Sequence, residues 1–191
     1  MKLVVIACNT LTVLGVDTLK GSHAFEIVGM SKGAQLVLAA SSRKKIGVFA
    51  TEFTINSGAH KAAILAADAG AYVYPQACPK FVPLIEGEQF DGAEVRAAVA
   101  EYAAPLKAAG IDTLILSCTH YPFIQKEIES EFGSEVTVID PADATAQDTK
   151  TVLAAEGLLR SEGAGALEVC FTADVEPVSY THLRAHETAA N

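Results

Sequence analysis

The sequence predicts an α/β fold of two similar lobes with mostly parallel sheets, an active-site cleft between them, and an incomplete first lobe. Three observations carry that prediction. Short apolar, β-branched runs alternate with helical patterns through most of the 191 residues, and such alternation builds parallel sheets. Half of the residues are hydrophobic, enough for a substantial core. One local phrase, an apolar strand followed by a small residue, a cysteine and polar groups, occurs twice. It reads Leu3-Val4-Val5-Ile6-Ala7-Cys8-Asn9-Thr10 and then Leu114-Ile115-Leu116-Ser117-Cys118-Thr119-His120.

The elements follow in order. Residues 2–7 read as a buried strand, because the run is short, apolar and β-branched. A helical stretch continues to about Lys20. Residues 25–28 suit a strand, 32–40 a helix, 45–49 a strand, 58–69 a helix and 71–74 a strand. Residues 92–109 form a helix that stops at Gly110, the residue type favoured just past a helix end. A strand over 113–116, a helix over 124–132 and a strand over 135–139 come next, then a helix over 142–159 and a strand over 167–171. The expected division is 1–30 plus 143–177 for the first lobe and 31–142 for the second. The chain opens inside a strand that reads as central, with nothing upstream to flank it. After Phe171 the α/β rhythm stops. The run Val178-Ser179-Tyr180-Thr181-His182-Leu183-Arg184-Ala185-His186-Glu187-Thr188 resembles a translated sequencing adapter, so 178–191 is expected to be a non-native tail and His182 and His186 are not candidate ligands.

Composition excludes several classes of function. The net charge of -9, with no basic run, argues against a nucleic-acid partner. No stretch is long and apolar enough for a membrane span. The four cysteines fit neither a zinc spacing nor a CxxC redox pair. A chain this apolar needs no disulfide staples, and residues 1–8 are too short for a lipoprotein signal. The thiols are therefore expected to be free and the protein cytoplasmic. Gly29 and Gly33 form no nucleotide-binding fingerprint.

Chemistry in open parallel sheets gathers at the carboxyl ends of strands, where the repeated phrase puts Cys8 and Cys118. The start of a helix after each would favour a thiolate. Two opposed thiols suit inversion at carbon: one removes a proton from one face and the other delivers a proton to the opposite face. Cysteine suits the task because its pKa can be tuned toward neutrality. His120 is placed to assist Cys118, and Glu86 to play a matching part near the other thiol. Taken singly, each residue has a plainer reading. A lone cysteine is most often core, which is the expectation for Cys78 and for Cys170 on its strand. His120 could cap a helix, and Glu86 could be a solvated carboxylate. His23 and His60 are expected at the surface.

The segments Ala7-Cys8-Asn9-Thr10, Cys78-Pro79-Lys80-Phe81-Val82-Pro83-Leu84-Ile85-Glu86 and Asp112-Thr113-Leu114-Ile115-Leu116-Ser117-Cys118-Thr119-His120-Tyr121-Pro122 resemble glutamate racemases, within the aspartate/glutamate racemase family. Ile139-Asp140-Pro141-Ala142 and Phe171-Thr172-Ala173-Asp174 are similar to later segments of that family. The Cys-Thr-His-Tyr-Pro run favours glutamate over aspartate racemases. The resemblance implies two α/β lobes around a cleft, and neither pyridoxal phosphate nor metal nor any other cofactor. By motif position it implies Cys8 and Cys118 as the two bases, with His120 and Glu86 as their helpers. Asn9, Thr10, Thr119 and His120 carry over as substrate contacts, and so does Thr54, with Thr51 as its competitor. It further implies glutamate as the small-molecule partner, D-glutamate supply for peptidoglycan, and commonly a homodimer. The family's opening Asp-Ser-Gly segment and its later Tyr-Gly pair are absent here, so the 191 residues alone are expected to be inactive. Alternatives are another amino-acid racemase of the family and a non-catalytic amino-acid-binding α/β protein.

Overall fold

The computed structural model describes residues 1–163, 166, 168 and 170. Two parallel sheets organise them. The smaller pairs β1 (Leu3–Ile6) with β2 (Glu26–Gly29), in the register Leu3 to Glu26 and Ile6 to Gly29. The connection is helical: α1 (Asn9–Leu11), a π-helical stretch Thr12–Val16, and α2 (Asp17–Leu19). It lies so close to β2 that a Cβ on Gly29 would meet the Thr12 side chain at 2.6 Å. The Thr12 hydroxyl accepts the Met30 N–H at 2.9 Å, holding the helix start over the strand end.

The larger sheet has the order β4-β3-β5-β6, all parallel, with β3 (Lys45–Ala50), β4 (Tyr72–Ala77), β5 (Thr113–Ser117) and β6 (Thr137–Ile139). Beyond these strands lie α3 (Ala34–Ala40), α4 (Glu52–Ser57), α5 (Ala59–Ala67), α6 (Phe81–Glu86), α7 (Ala93–Ala109), α8 (Gln125–Phe132) and α9 (Ala142–Ala155). β5 is buried at every residue, as a central parallel strand covered on both faces must be. Leu114 and Leu116 face the core shared with Phe49, Val99, Leu106 and Ile128. Ile115 faces the other core, with Val48, Val37 and Ile64. The polypeptide enters the larger sheet through Gly33, at φ 60, where a Cβ would meet the Ile115 side chain at 2.4 Å. α9 packs against β2, and the Thr145 hydroxyl accepts the Ser31 N–H at 3.0 Å.

At the amino end of β5, burial alone would raise the pKa of the Asp112 carboxyl. Hydrogen bonds from Ser41 Oγ, the Arg43 N–H and Ser42 Oγ overcome this and hold it below the usual carboxylate range. This ties the turn before β3 to the strand beside it, at the end away from the cysteines.

Several expectations need correction. β1 is half-buried rather than buried, and Val5 is 40% exposed. β1 pairs with β2 alone among the described residues. His60 is a core residue, 4% exposed on α5, because α5 turns that face onto the sheet. Of the strand expected over 167–171, Glu168 and Cys170 are described; neither is in a strand, and Cys170 is exposed rather than core. The expected tail 178–191 lies outside the described residues. Among the described residues no helix is long and apolar enough to cross a membrane.

Candidate active site

The register of the larger sheet sets the level of the site. Ala50 pairs with Ala77 on one side and with Ser117 on the other. The next residues, Thr51, Cys78 and Cys118, therefore leave the carboxyl ends of three adjacent strands on one level. Cys8 leaves the smaller sheet in the same way, two residues past β1.

Cys118 is 8% exposed. Burial pushes its thiol up to about 11, and the nearby Cys8 charge adds to the rise. The backbone N–H groups of His120 and Tyr121 oppose it by hydrogen-bonding the sulfur. The helix start after this cysteine thus does stabilise a thiolate, as the sequence implies. Desolvation is the larger effect, however, so the thiol is not tuned toward neutrality here. Cys8 and Cys118 are tied to one region by the Thr10 hydroxyl, two residues past Cys8, which lies 2.9 Å from that of Thr51, the residue beside Cys118 on the neighbouring strand end.

His120 Nδ1 lies 3.9 Å from Cys118 Sγ, and His120 Nε2 lies 2.6 Å from Glu86 Oε1. With Nε2 donating to the carboxylate, Nδ1 is left as an acceptor facing the thiol. Glu86 closes α6, whose Phe81 and Ile85 are fully buried. Phe81 packs edge-on against Tyr121, with ring centroids 5.1 Å apart, and the Tyr121 hydroxyl donates to the Cys78 carbonyl at 3.3 Å. These contacts carry Glu86 to the Cys118 side. The expectation that Glu86 serves the other thiol is therefore corrected: it reaches Cys118 through His120.

Hydroxyls gather at the neighbouring strand end. Thr10 Oγ1 lies 2.9 Å from Thr51 Oγ1 and 3.2 Å from Thr54 Oγ1, and Thr51 donates to Thr54 at 3.0 Å. This cluster joins the helical start after β1 to the end of β3. Asn9 beside it is 3% exposed, and its Nδ2 has no hydrogen-bond partner. A buried amide donor without an acceptor is costly, and a ligand carboxylate would supply one. Thr119 follows Cys118 and is half-buried.

Cys78 is a core residue, as expected: it is fully buried, and burial first and the Cys118 charge second push its thiol pKa up. Tyr121 stood in a matched segment, but its part in carrying α6 to this side is a tertiary contact that the sequence does not show. Among the described residues no group of three or more His, Cys, Asp or Glu side chains could hold a metal ion.

The Asp/Glu/Hydantoin racemase family profile matches residues 1–149. The glutamate racemase of Lysinibacillus sphaericus (strain C3-41) is 41% identical over 160 residues, covering 83% of this chain and 60% of that protein. The glutamate racemase of Lactiplantibacillus plantarum is 42% identical over 154 residues, covering 80% of this chain and 56% of that protein. Among solved structures, a glutamate racemase isoform from Bacillus anthracis superposes with a TM-score of 0.79 at 34% identity, covering 84% of this chain and 61% of that one. The glutamate racemase of Francisella tularensis in complex with D-glutamate gives 0.77 at 30% identity, covering 85% and 61%. The chain thus spans about 60% of the length of these relatives.

Proposed function

The chain belongs to the Asp/Glu/Hydantoin racemase family, and we propose that the protein interconverts L- and D-glutamate, with Cys8 and Cys118 as the proton-transfer groups on opposite faces of the substrate. The observation that carries the reading is that two free thiols follow strand ends, one in each sheet, with the Thr10–Thr51 hydroxyl contact of 2.9 Å joining the two strand ends.

The side chains supply the steps. Glu86 holds the Nε2–H of His120, and Nδ1 accepts the Cys118 proton. The Glu86 carboxylate stabilises the imidazolium so formed, and the imidazolium in turn stabilises the thiolate. Cys118 removes the α-proton from one face while the Cys8 thiol delivers a proton to the other. In the reverse direction the roles exchange. The Asn9 amide, the Thr10–Thr51–Thr54 hydroxyl cluster and Thr119 bind the carboxylate and ammonium groups of the amino acid. Burial of Cys118 excludes water from the developing carbanion and strengthens nearby hydrogen bonds. The same reading includes no cofactor, a homodimer, a cytoplasmic setting, D-glutamate supply to peptidoglycan, and the division 1–30 plus 143–177 against 31–142.

One observation favours a second reading. A Cys118 pKa of about 11 leaves little thiolate at neutral pH, which suits an amino-acid-binding protein without turnover.

The test offers L-glutamate, D-glutamate and the two aspartate enantiomers to a purified longer protein that carries the upstream Asp-Ser-Gly segment, because the 191 residues alone are expected to be inactive. Enantiomer ratios and α-proton exchange in deuterated water are then followed. Exchange and inversion with glutamate in preference to aspartate are expected. Inversion of aspartate alone moves the substrate assignment, and binding without any exchange selects the second reading.

A further inference from the structure

We propose that Thr145 is a positioning residue for the racemisation: its buried hydroxyl clamps together the two places where the chain crosses between the sheets, and so sets how the Cys8 and Cys118 strand ends face each other. This rests on the racemase reading above and extends it to a residue outside the thiol site.

The described chain passes between the sheets twice. It leaves β2 at Gly29 and reaches α3 at Ala34, and it leaves β6 at Ile139 and returns with α9, which packs against β2. Thr145 stands one turn into α9 and is 5% exposed. Its Oγ1 accepts the Ser31 N–H of the first crossing at 3.0 Å and donates to the Pro141 carbonyl of the second at 3.0 Å. One hydroxyl, acting as acceptor and donor at once, joins both crossings.

Each crossing is anchored beside a thiol-bearing strand end. On the smaller sheet, Thr12 Oγ1 accepts the Met30 N–H at 2.9 Å and donates to the carbonyl of Ile6, two residues before Cys8, at 3.4 Å. On the larger sheet, Gly33 fits so tightly that a Cβ would meet the Ile115 side chain at 2.4 Å, and Ile139 pairs with Ile115, three residues before Cys118. A valine at position 145 keeps the shape of the side chain but takes the acceptor from the Ser31 N–H. A buried donor left unpaired is costly, and relieving it moves the segment that holds the two sheets in register.

The two halves of the reaction respond differently to such a shift. Removal and return of a proton on one face use one thiol, whereas inversion needs both thiols aligned on one α-carbon. Loosening the clamp therefore spares exchange on one face and costs inversion. A loss of folded protein lowers both in the same proportion, so their ratio is insensitive to stability.

The experiment uses the longer protein that carries the upstream Asp-Ser-Gly segment, with L-glutamate in deuterated water. Deuterium in the recovered L-glutamate and formation of D-glutamate are measured for the unsubstituted protein and for Thr145→Val, Thr145→Ala, Thr145→Ser and Val99→Ala. Misplacing reacting groups by about 1 Å costs on the order of 100-fold in rate. Inversion by Thr145→Val is expected to fall on the order of 10- to 100-fold, with the ratio of exchange to inversion rising by a similar factor. Thr145→Ala gives the same reading should the valine variant not fold. Thr145→Ser keeps the hydroxyl and is expected to return the ratio to that of the unsubstituted protein. Val99→Ala opens the core on the face of the larger sheet away from Ile115 and is expected to leave the ratio unchanged. A ratio that does not rise in Thr145→Val or Thr145→Ala, that stays raised in Thr145→Ser, or that rises equally in Val99→Ala overturns the assignment alone. Absence of both exchange and inversion in the unsubstituted protein overturns the racemase reading and this assignment together.

Discussion

At the scale of single residues, burial and hydrogen bonding pull Cys118 in opposite directions. The backbone N–H groups of His120 and Tyr121 favour its thiolate, while burial and the Cys8 charge disfavour it, and the balance lies at about 11. A thiol in this state gains nucleophilicity as the pH rises toward that value, close to tenfold per unit. Alkylation of Cys118 by iodoacetamide, followed by peptide mass spectrometry, should therefore climb steadily from pH 7 to pH 10. A rate that levels off near pH 8 would show that the His120–Glu86 pair outweighs burial. The types of residue in this arrangement were legible in the sequence, since Cys118, His120 and Glu86 all stand in matched segments. The partnership was not. Glu86 and His120 are 34 residues apart, and the turn of α6 that joins them depends on Phe81 and Ile85 filling the core.

Elements were legible in proportion to their length and period. The strands and the long helices α7 and α9 carry enough turns or enough continuous apolar sequence to declare themselves. The six-residue helices α4 and α6 did not, because fewer than two turns show no usable period. Pro83 in α6 also reads as a break, although it sits within the first turn, where proline is tolerated. His60 on α5 was misread for a related reason: the helix is rich in alanine, so its buried face is not marked by large apolar residues. The structure gives that error a consequence. His60 is 4% exposed, both ring nitrogens lack hydrogen-bond partners, and burial with help from Lys32 lowers its pKa to about 4. As pH falls below 6.5 the unfolded chain takes up this proton and the folded one does not, so stability declines between pH 6.5 and about 4 and is then flat. The loss totals about 3 kcal/mol. Urea denaturation of His60→Leu should show a smaller drop between pH 7 and pH 4.5 than the unsubstituted chain. Equal drops would mean that this imidazole finds a proton acceptor in the folded state.

At the scale of the whole molecule, the site is an assembly of strand ends. The sequence revealed the two cysteine-bearing ends through their repeated phrase. It could not reveal that Thr10, on the helical start after β1, bonds to Thr51 beyond β3, because that contact exists only once the two sheets face each other. Nor did it show that β1 leaves Val5 40% exposed, or that the helical segment after it leaves Leu11 55% and Leu14 56% exposed; an apolar run looks the same in a half-covered strand as in a central one. The proposed racemisation depends on the two sheets presenting their thiols to one ligand. The most direct measurement is deuterium entry at the α-carbon of L- and D-glutamate, compared among the unsubstituted protein, Cys8→Ser and Cys118→Ser. Each serine variant should lose inversion while retaining glutamate binding, and the two should differ in which enantiomer still exchanges its α-proton. Inversion at the unsubstituted rate by either variant would contradict a mechanism built on both thiols.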